Sequence, residues 1–254
     1  MSMEQIWATV ISQEKLASDV YSMWLKVGAM AGEAKPGQFI SLYSADKAHL
    51  LPRPISICEA EGEKGTLRIV YRVVGYGTDE FSHMGAGDRV KVTGPLGNGY
   101  TLKDKEAILV AGGIGIPPML ELAKRLDVKK TIVLGYRDER FLDKEFEAYG
   151  KVILATEDGS AGTKGNVLDA IREQQVKGDI IYACGPTPML RALKAYAMEE
   201  GLEAQISLEE KMACGIGACL ACVCRSTETD GHSLVHNKRI CKDGPVFDAR
   251  EVTL

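Results

Sequence analysis

The apolar positions of this chain change rhythm twice. From Glu4 to about Gly97 they fall in short runs, over 7–11, 21–27, 39–43, 67–73 and 89–92, in which apolar and polar side chains alternate or β-branched residues cluster. A period of two places successive side chains on opposite faces of a strand, and Gly, Pro, Asp or Lys clusters close each run, so this segment predicts a small all-β barrel or sandwich. After Gly97-Asn98-Gly99 the pattern lengthens. Continuous apolar runs predict buried strands over 107–111, 131–135, 152–156 and 179–184, and helical spacing predicts helices over 119–126, 166–174 and 188–200. Strands that alternate with helices pair in parallel, because a parallel strand must return by a crossover. From about Leu202 cysteine and glycine replace apolar residues, leaving too little for an independent core, so something else must organise this segment. The expected division is a β-barrel domain over 1–100, an α/β domain over 101–203 and a small module over 204–254. Neither an internal repeat nor a low-complexity segment interrupts it.

Composition narrows the function classes. With 254 residues, 45% hydrophobic and 26% charged, the chain can bury a sizeable core, which excludes the disordered and fibrous classes. Thirty-one basic against 35 acidic residues give a net charge of -4 without a basic block, so nucleic-acid binding is not expected. No run approaches the roughly 20 apolar residues that span a bilayer. The first residues lack a basic segment followed by an apolar one, and the expectation is a cytoplasmic protein with no membrane association. Of seven cysteines, Cys214, Cys219, Cys222, Cys224 and Cys241 crowd into one region instead of being spread as a disulfide framework would be. That crowding points to a metal.

Cys214, Cys219 and Cys222 form C-x4-C-x2-C, with Cys241 distant, which is the plant-type spacing for a [2Fe–2S] cluster. Thiolates are soft ligands for iron–sulfur clusters or zinc, and Gly215, Gly217, Ala218 and Ala221 let the backbone curl closely enough to aim N–H groups at sulfides. A structural zinc site would more often present two close cysteine pairs. Buried thiols with no ligand are the plain alternative. Cys224 competes with Cys241 as fourth ligand, but one residue after Cys222 the loop would have to fold back sharply, which favours Cys241.

Three further motifs bear on nucleotides. Arg53 and Ser56, in Leu51-Pro52-Arg53-Pro54-Ile55-Ser56, could hold a phosphate by charge and hydroxyl; alternatively they form a proline-started edge strand with a solvated arginine. Gly75-Tyr76-Gly77-Thr78, after the strand containing Val70, Tyr71 and Arg72, supplies flexible backbone and a hydroxyl for a pyrophosphate. Gly112, Gly113 and Gly115 turn a strand into a helix opened by Pro117 and Pro118, directing N–H donors and a helix dipole at phosphates. This is not the G-x-G-x-x-G fingerprint, because Pro118 stands where the third glycine belongs. Cys184, Gly185 and Pro186 repeat the strand–turn–helix pattern, so one ligand could touch both turns; tight turns that bind nothing, with Cys184 a small buried residue, are the alternative.

Taken in order, Arg53 to Ser56, Gly94 to Gly97, Gly112 to Gly115, Cys184 to Pro186 and the cysteine loop resemble the ferredoxin reductase flavoprotein family over essentially the whole chain. With the C-terminal cysteines, the resemblance is strongest to the electron-transfer subunits of NAD-dependent dihydroorotate dehydrogenase. It implies a Greek-key FAD-binding barrel, a parallel-sheet NAD-binding domain and a C-terminal [2Fe–2S] module. By the same resemblance Arg53, Pro54, Ile55, Ser56, Val70, Tyr71, Arg72, Gly77 and Thr78 contact FAD, and Cys214, Cys219, Cys222 and Cys241 hold the cluster. Many relatives carry a tyrosine at the position of Ile55. The implied activity passes electrons from an FMN-containing dihydroorotate-oxidising catalytic subunit, through [2Fe–2S] and FAD, to NAD, in pyrimidine biosynthesis. The implied assembly holds two copies of each subunit. No residue here is placed as the base that deprotonates a dihydropyrimidine, as expected if that chemistry lies in another polypeptide. Glu157 and Asp158 after a strand favour NAD over NADP, since acid discourages a 2′-phosphate; a solvated turn is the alternative. The rival readings are an FAD/[2Fe–2S] subunit of a ferredoxin:NADP or hydrogenase-linked oxidoreductase, and a zinc-stabilised interaction module.

Overall fold

The computed structural model describes residues 4–229 and 235–254. Its first part is a closed antiparallel barrel with strand order β1-β2-β5-β4-β3-β6. The strands are β1 (Glu4–Lys15), β2 (Val20–Lys26), β3 (Phe39–Tyr43), β4 (Arg53–Glu61), β5 (Thr66–Arg72) and β6 (Arg89–Leu96), with short helices α1 (Met30–Glu33) and α2 (Tyr76–Ser82) between them. Period two does the sorting: Leu67, Ile69 and Tyr71 of β5 enter the barrel with Met23, Leu25, Ile40 and Leu42, while Val70 faces the second domain.

A seven-stranded sheet follows, in the order β10-β9-β8-β7-β11-β12-β15. Its strands are β7 (Ala107–Gly112), β8 (Lys130–Tyr136), β9 (Lys151–Thr156), β10 (Thr163–Lys164), β11 (Ile180–Cys184) and β12 (Glu203–Ser207). These pair in parallel throughout, as the strand–helix alternation predicts. Helices α3 (Pro117–Arg125) and α4 (Asp143–Phe146) share a core with the barrel side. Helices α5 (Val167–Glu173) and α6 (Thr187–Glu199) cover the opposite face. Asn166 caps α5, its Oδ1 accepting the N–H groups of Leu168 at 2.8 Å and Asp169 at 3.3 Å. Both α3 and α6 begin with proline in the first turn, where no N–H is needed.

The sheet runs past the boundary expected at residue 203. β12 is an integral strand, and β15 (Val246–Asp248) from the C-terminal segment pairs antiparallel with it. A small sheet of β13 (Val223–Ser226), β14 (Asn237–Arg239) and β16 (Val252–Thr253) completes the module. Its apolar residues Cys222, Ile240, Cys241, Phe247 and Val252 join one core with Ile181, Ala183 and Ile206 of the large sheet and Phe39 and Leu96 of the barrel. The module's poverty in apolar sequence is therefore met by borrowing: it packs on surfaces that the other two domains supply.

Candidate functional site

The barrel brings its two predicted nucleotide motifs into contact. A Cβ on Gly77 would lie 2.8 Å from Nε and 3.2 Å from Cζ of Arg53, so glycine is what lets the guanidinium lie against this backbone. Arg53 also donates from Nη1 to the carbonyl of Leu51 at 2.5 Å. Arg72 is ion-paired with Asp19 at 3.0 Å. An arginine laid over the first turn of α2, with Ser56 farther along the same strand, is a donor set suited to a diphosphate.

Three of the expected residues are disposed in a particular way. Gly75 to Thr78 is not a flexible loop but the start of α2, and the Thr78 hydroxyl is turned inward. It accepts from the N–H groups of Val74 (2.9 Å) and Gly75 (3.2 Å) and donates to the Gly75 carbonyl (2.9 Å). Val70 and Tyr71 have buried side chains, so a ligand meets only their backbone. The Tyr71 hydroxyl donates to Gln13 Oε1 at 2.8 Å, and burial raises its pKa.

The second half-site lies where the strand order reverses. β8, β9 and β10 extend from one side of β7 and β11, β12 and β15 from the other, and ligands of open parallel sheets bind at the carboxyl ends of such a switch point. The chain leaving β7 is Gly112, Gly113 and Gly115; the chain leaving β11 is Cys184, Gly185 and Pro186. They touch: a Cβ on Gly115 would fall 2.5 Å from the Cys184 carbonyl carbon and 2.6 Å from Gly185 N. Both predicted turns thus face one crevice. The Cys184 thiol is pushed up to about 12 by burial, partly offset by the Ser207 hydroxyl, which makes it a packing group and not a nucleophile.

The cysteine loop curls around Cys214. Its Sγ accepts N–H bonds from Ile216 (3.5 Å), Ala218 (3.3 Å) and Cys219 (3.4 Å). Gly215 and Gly217 at φ 68° and 84° permit the curl, and Leu220 at φ 60° is forced into the same left-handed region at a cost of about 1–2 kcal/mol. Burial alone would raise the Cys214 thiol, but the backbone donors and Cys219 outweigh it and bring it to about 6. Cys214 and Cys219 form one associated pair. Cys222 and Cys241 form another, with the Cys241 N–H donating to Cys222 Sγ at 3.4 Å and burial raising Cys241 to about 12. Cys224 lies within β13, opposite Lys238 of β14. Among the described residues no three His, Cys, Asp or Glu side chains converge as a single-ion site requires. The two pairs supply the four thiolates that a [2Fe–2S] cluster takes.

The loop also abuts the barrel. A Cβ on Gly215 would stand 3.1 Å from Ser41 Oγ on β3. Asn98, just after β6, donates from Nδ2 to the carbonyls of Lys242 (3.0 Å) and Asp243 (3.2 Å), and its N–H donates to that of Gly244 (2.6 Å). Sequence reading missed Ser41 and Asn98 as docking residues. The alternation over 39–43 sets Ser41 on the outer face of β3, the one signal available, without indicating what covers it.

The family profile of the oxidoreductase FAD-binding domain matches residues 7–100. Among solved structures, the NADH-dependent reduced ferredoxin-NADP oxidoreductase studied for flavin-based electron bifurcation matches with TM-score 0.87 at 32% identity, over 97% of this chain and 89% of that one. Flavohemoglobin from Malassezia yamatoensis, at TM-score 0.64 and 18% identity over 80% of this chain and 60% of that one, shares the fold alone. Fold and site together define a ferredoxin reductase-like flavoprotein that carries its own iron–sulfur module. The profile of the iron–sulfur cluster binding domain of dihydroorotate dehydrogenase B matches residues 209–253, which include all the paired cysteines. The electron transfer subunit of dihydroorotate dehydrogenase B (NAD(+)) from Caldanaerobacter subterraneus subsp. tengcongensis is 46% identical over 247 residues, 96% of this chain and 97% of that protein. Its counterpart from Fusobacterium nucleatum subsp. nucleatum is 41% identical over 260 residues, 97% of each. The chain belongs to this family, the electron transfer subunits of NAD(+)-dependent dihydroorotate dehydrogenase B. It is therefore an oxidoreductase subunit that works with a catalytic partner, and this reading fits better than the ferredoxin:NADP alternative.

Proposed function

We propose that the chain receives electrons from an FMN-containing subunit that oxidises dihydroorotate and delivers them to NAD+, in a complex of two copies of each subunit. In this reading Cys214, Cys219, Cys222 and Cys241 hold a [2Fe–2S] cluster. Arg53, Pro54, Ile55, Ser56, the backbone of Val70 to Arg72 and the first turn of α2 at Gly77 and Thr78 hold FAD. Gly112 to Gly115 and Cys184 to Pro186 receive the nicotinamide nucleotide. A cluster supplies one electron at a time, nicotinamide exchanges two, and a flavin handles both, so the three groups together match single to paired transfers.

The observation that carries the proposal is the seating of the cysteine loop on the barrel, Gly215 over Ser41, which joins the cluster residues and the flavin residues in one packed body. The residues have definite tasks. Backbone N–H groups around Cys214 favour its thiolate, which is the ligating form. Arg53 offers positive charge on the barrel side. Gly112 and Gly115 let the turns that leave β7 and β11 pack closely against their neighbours. Glu157 and Asp158 are exposed at the end of β9, which favours NAD over its 2′-phosphorylated form. The cytoplasm, where free thiols stay reduced, is the compartment this reading requires.

Reconstitution tests it. The anaerobically purified chain, mixed with a dihydroorotate-oxidising FMN subunit, is expected to couple dihydroorotate oxidation to NAD+ reduction. It is expected to contain FAD, iron and acid-labile sulfide. A loaded chain that binds no such subunit and reduces NADP+ from ferredoxin would overturn the assignment.

A further inference from the structure

The strongest surface feature not used above lies on the two segments that precede β4 and follow β5. Leu50, Leu51, Val74 and Tyr76 are exposed there, by 79%, 53%, 80% and 52%. The His49 and Tyr76 rings stack with centroids 4.0 Å apart and planes 23° apart. The segment is built, not merely exposed. Glu80 on α2 accepts bonds from the Ser44 hydroxyl and, at 2.8 Å, from the Ala45 N–H. Asp46 accepts the Ala48 N–H at 2.8 Å, and Tyr76 bonds to Asp46. Tyr76 adjoins Gly77, whose backbone lies against Arg53, and its ring is held before any ligand arrives, so ordering the pair costs a ligand little.

Resting on the FAD reading, we infer that the His49–Tyr76 pair is the platform for the adenine ring of FAD. Direction along β4 carries the argument. From Arg53 the strand runs through Ser56 to Cys58, which lies in the core shared with the α/β domain, and to Ala60, whose N–H donates to Glu121 of α3 at 3.1 Å. The redox-active ring must face that domain, where the nicotinamide turns lie. With the diphosphate at Arg53 and Gly77, the adenosine half leaves on the opposite side, and the exposed apolar and aromatic surface is there. Asp46, Asp79 and Glu80 all act on Tyr76, so the group that stacks on its ring is an uncharged one, as adenine is.

The test compares FAD with FMN, which keeps the redox ring and lacks the adenosine half, by fluorescence titration of flavin-depleted protein. Tyr76→Ala is expected to weaken FAD binding roughly tenfold, the scale of base–aromatic stacking, and to leave FMN binding unchanged. Tyr76→Phe, which keeps the ring, is expected to bind FAD like the parent. Equal losses for both flavins would place these rings over the redox ring and overturn the inference while the FAD site stands. No loss for either flavin would do the same. A parent chain that takes up neither flavin would overturn the FAD reading itself, and the inference with it.

Discussion

Arg68 on β5 and Glu145 on α4 are joined by two hydrogen bonds, Nη1 to Oε2 at 2.6 Å and Nη2 to Oε1 at 3.1 Å. The same guanidinium donates to Glu59 on β4 at 3.0 Å and to Ser22 on β2 at 2.9 Å, and Arg68 is only 5% exposed. One buried cation thus ties three barrel strands to the α/β domain. Arg68→Met leaves Glu59 to Lys124, 3.8 Å away, in a seam with little water. The expected loss is about 3 kcal/mol, because removing one partner strands the other charge. Glu145 is partly exposed, and Glu145→Gln is expected to cost about 1 kcal/mol. Denaturant midpoints measure both, and a larger loss for Glu145→Gln than for Arg68→Met would contradict this account.

The cysteine pairing separates ligands from bystanders. Cys219→Ser is expected to abolish cluster loading, since Cys214 loses the companion that completes one iron's pair. Cys224→Ser is expected to keep iron and acid-labile sulfide close to parent levels, because Cys224 lies in β13 opposite Lys238 of β14 and joins neither cysteine pair. Metal and sulfide analysis of anaerobically purified variants, with visible absorption, decides the matter. A full cluster in Cys241→Ser together with an empty site in Cys224→Ser would reassign the fourth ligand.

Gly115 and Gly112 look alike in sequence and differ in what they face. A Cβ at Gly115 meets the Cys184 backbone at 2.5 Å, whereas one at Gly112 meets the flexible Met189 side chain, with Sδ at 2.7 Å. Backbone cannot step aside and a thioether can. Gly115→Ala is expected to destabilise by about 3 kcal/mol and Gly112→Ala by about 1 kcal/mol. Gly115→Ala should also raise the KM for NAD+, because it parts the two turns of the crevice. Thermal denaturation and steady-state kinetics report on each effect, and equal stability of the two variants would count against the packing described.

Much of this arrangement was legible in the sequence, for reasons that particular residues make plain. Period two over 67–73 marks β5 to within a residue. The cysteine spacing and the two glycine turns come together as expected because each is a local backbone requirement. β4 shows in the sequence only at its start, as a strand begun by proline, because Pro52 and Pro54 interrupt the alternation there, and α2 is masked by Gly75 and Gly77, both poor helix formers. β1 outruns its expected span because it pairs with β6 over its first half and β2 over its second, bending at the irregularity between Val10 and Ser12. The join between Asn98 and Lys242 spans 144 residues, and no local pattern encodes such a contact. The same holds for the edge of the sheet, where β15 completes a domain whose other strands end at Ser207.

Glu203, at the start of β12, accepts bonds from Lys103 Nζ at 2.6 Å and Lys105 Nζ at 2.8 Å. Both lysines lie on the segment that leads from the barrel into β7. Their hydrogen bonds hold the Glu203 carboxyl at about 2, well below its ordinary 4.5. A carboxyl that binds its proton less readily in the folded chain than in the unfolded one adds stability while it is ionised. That contribution is complete above about 4.5 and disappears as the pH falls through about 2. Glu203→Gln has no such proton to bind, so its melting temperature should lie below that of the parent at neutral pH and approach it across this acid window. All three side chains reach solvent, so the gap is expected to be small and to shrink with added salt. Melting curves recorded against pH for both proteins check this, and curves that remain parallel through the window would mean that the lysines do not hold Glu203 in solution.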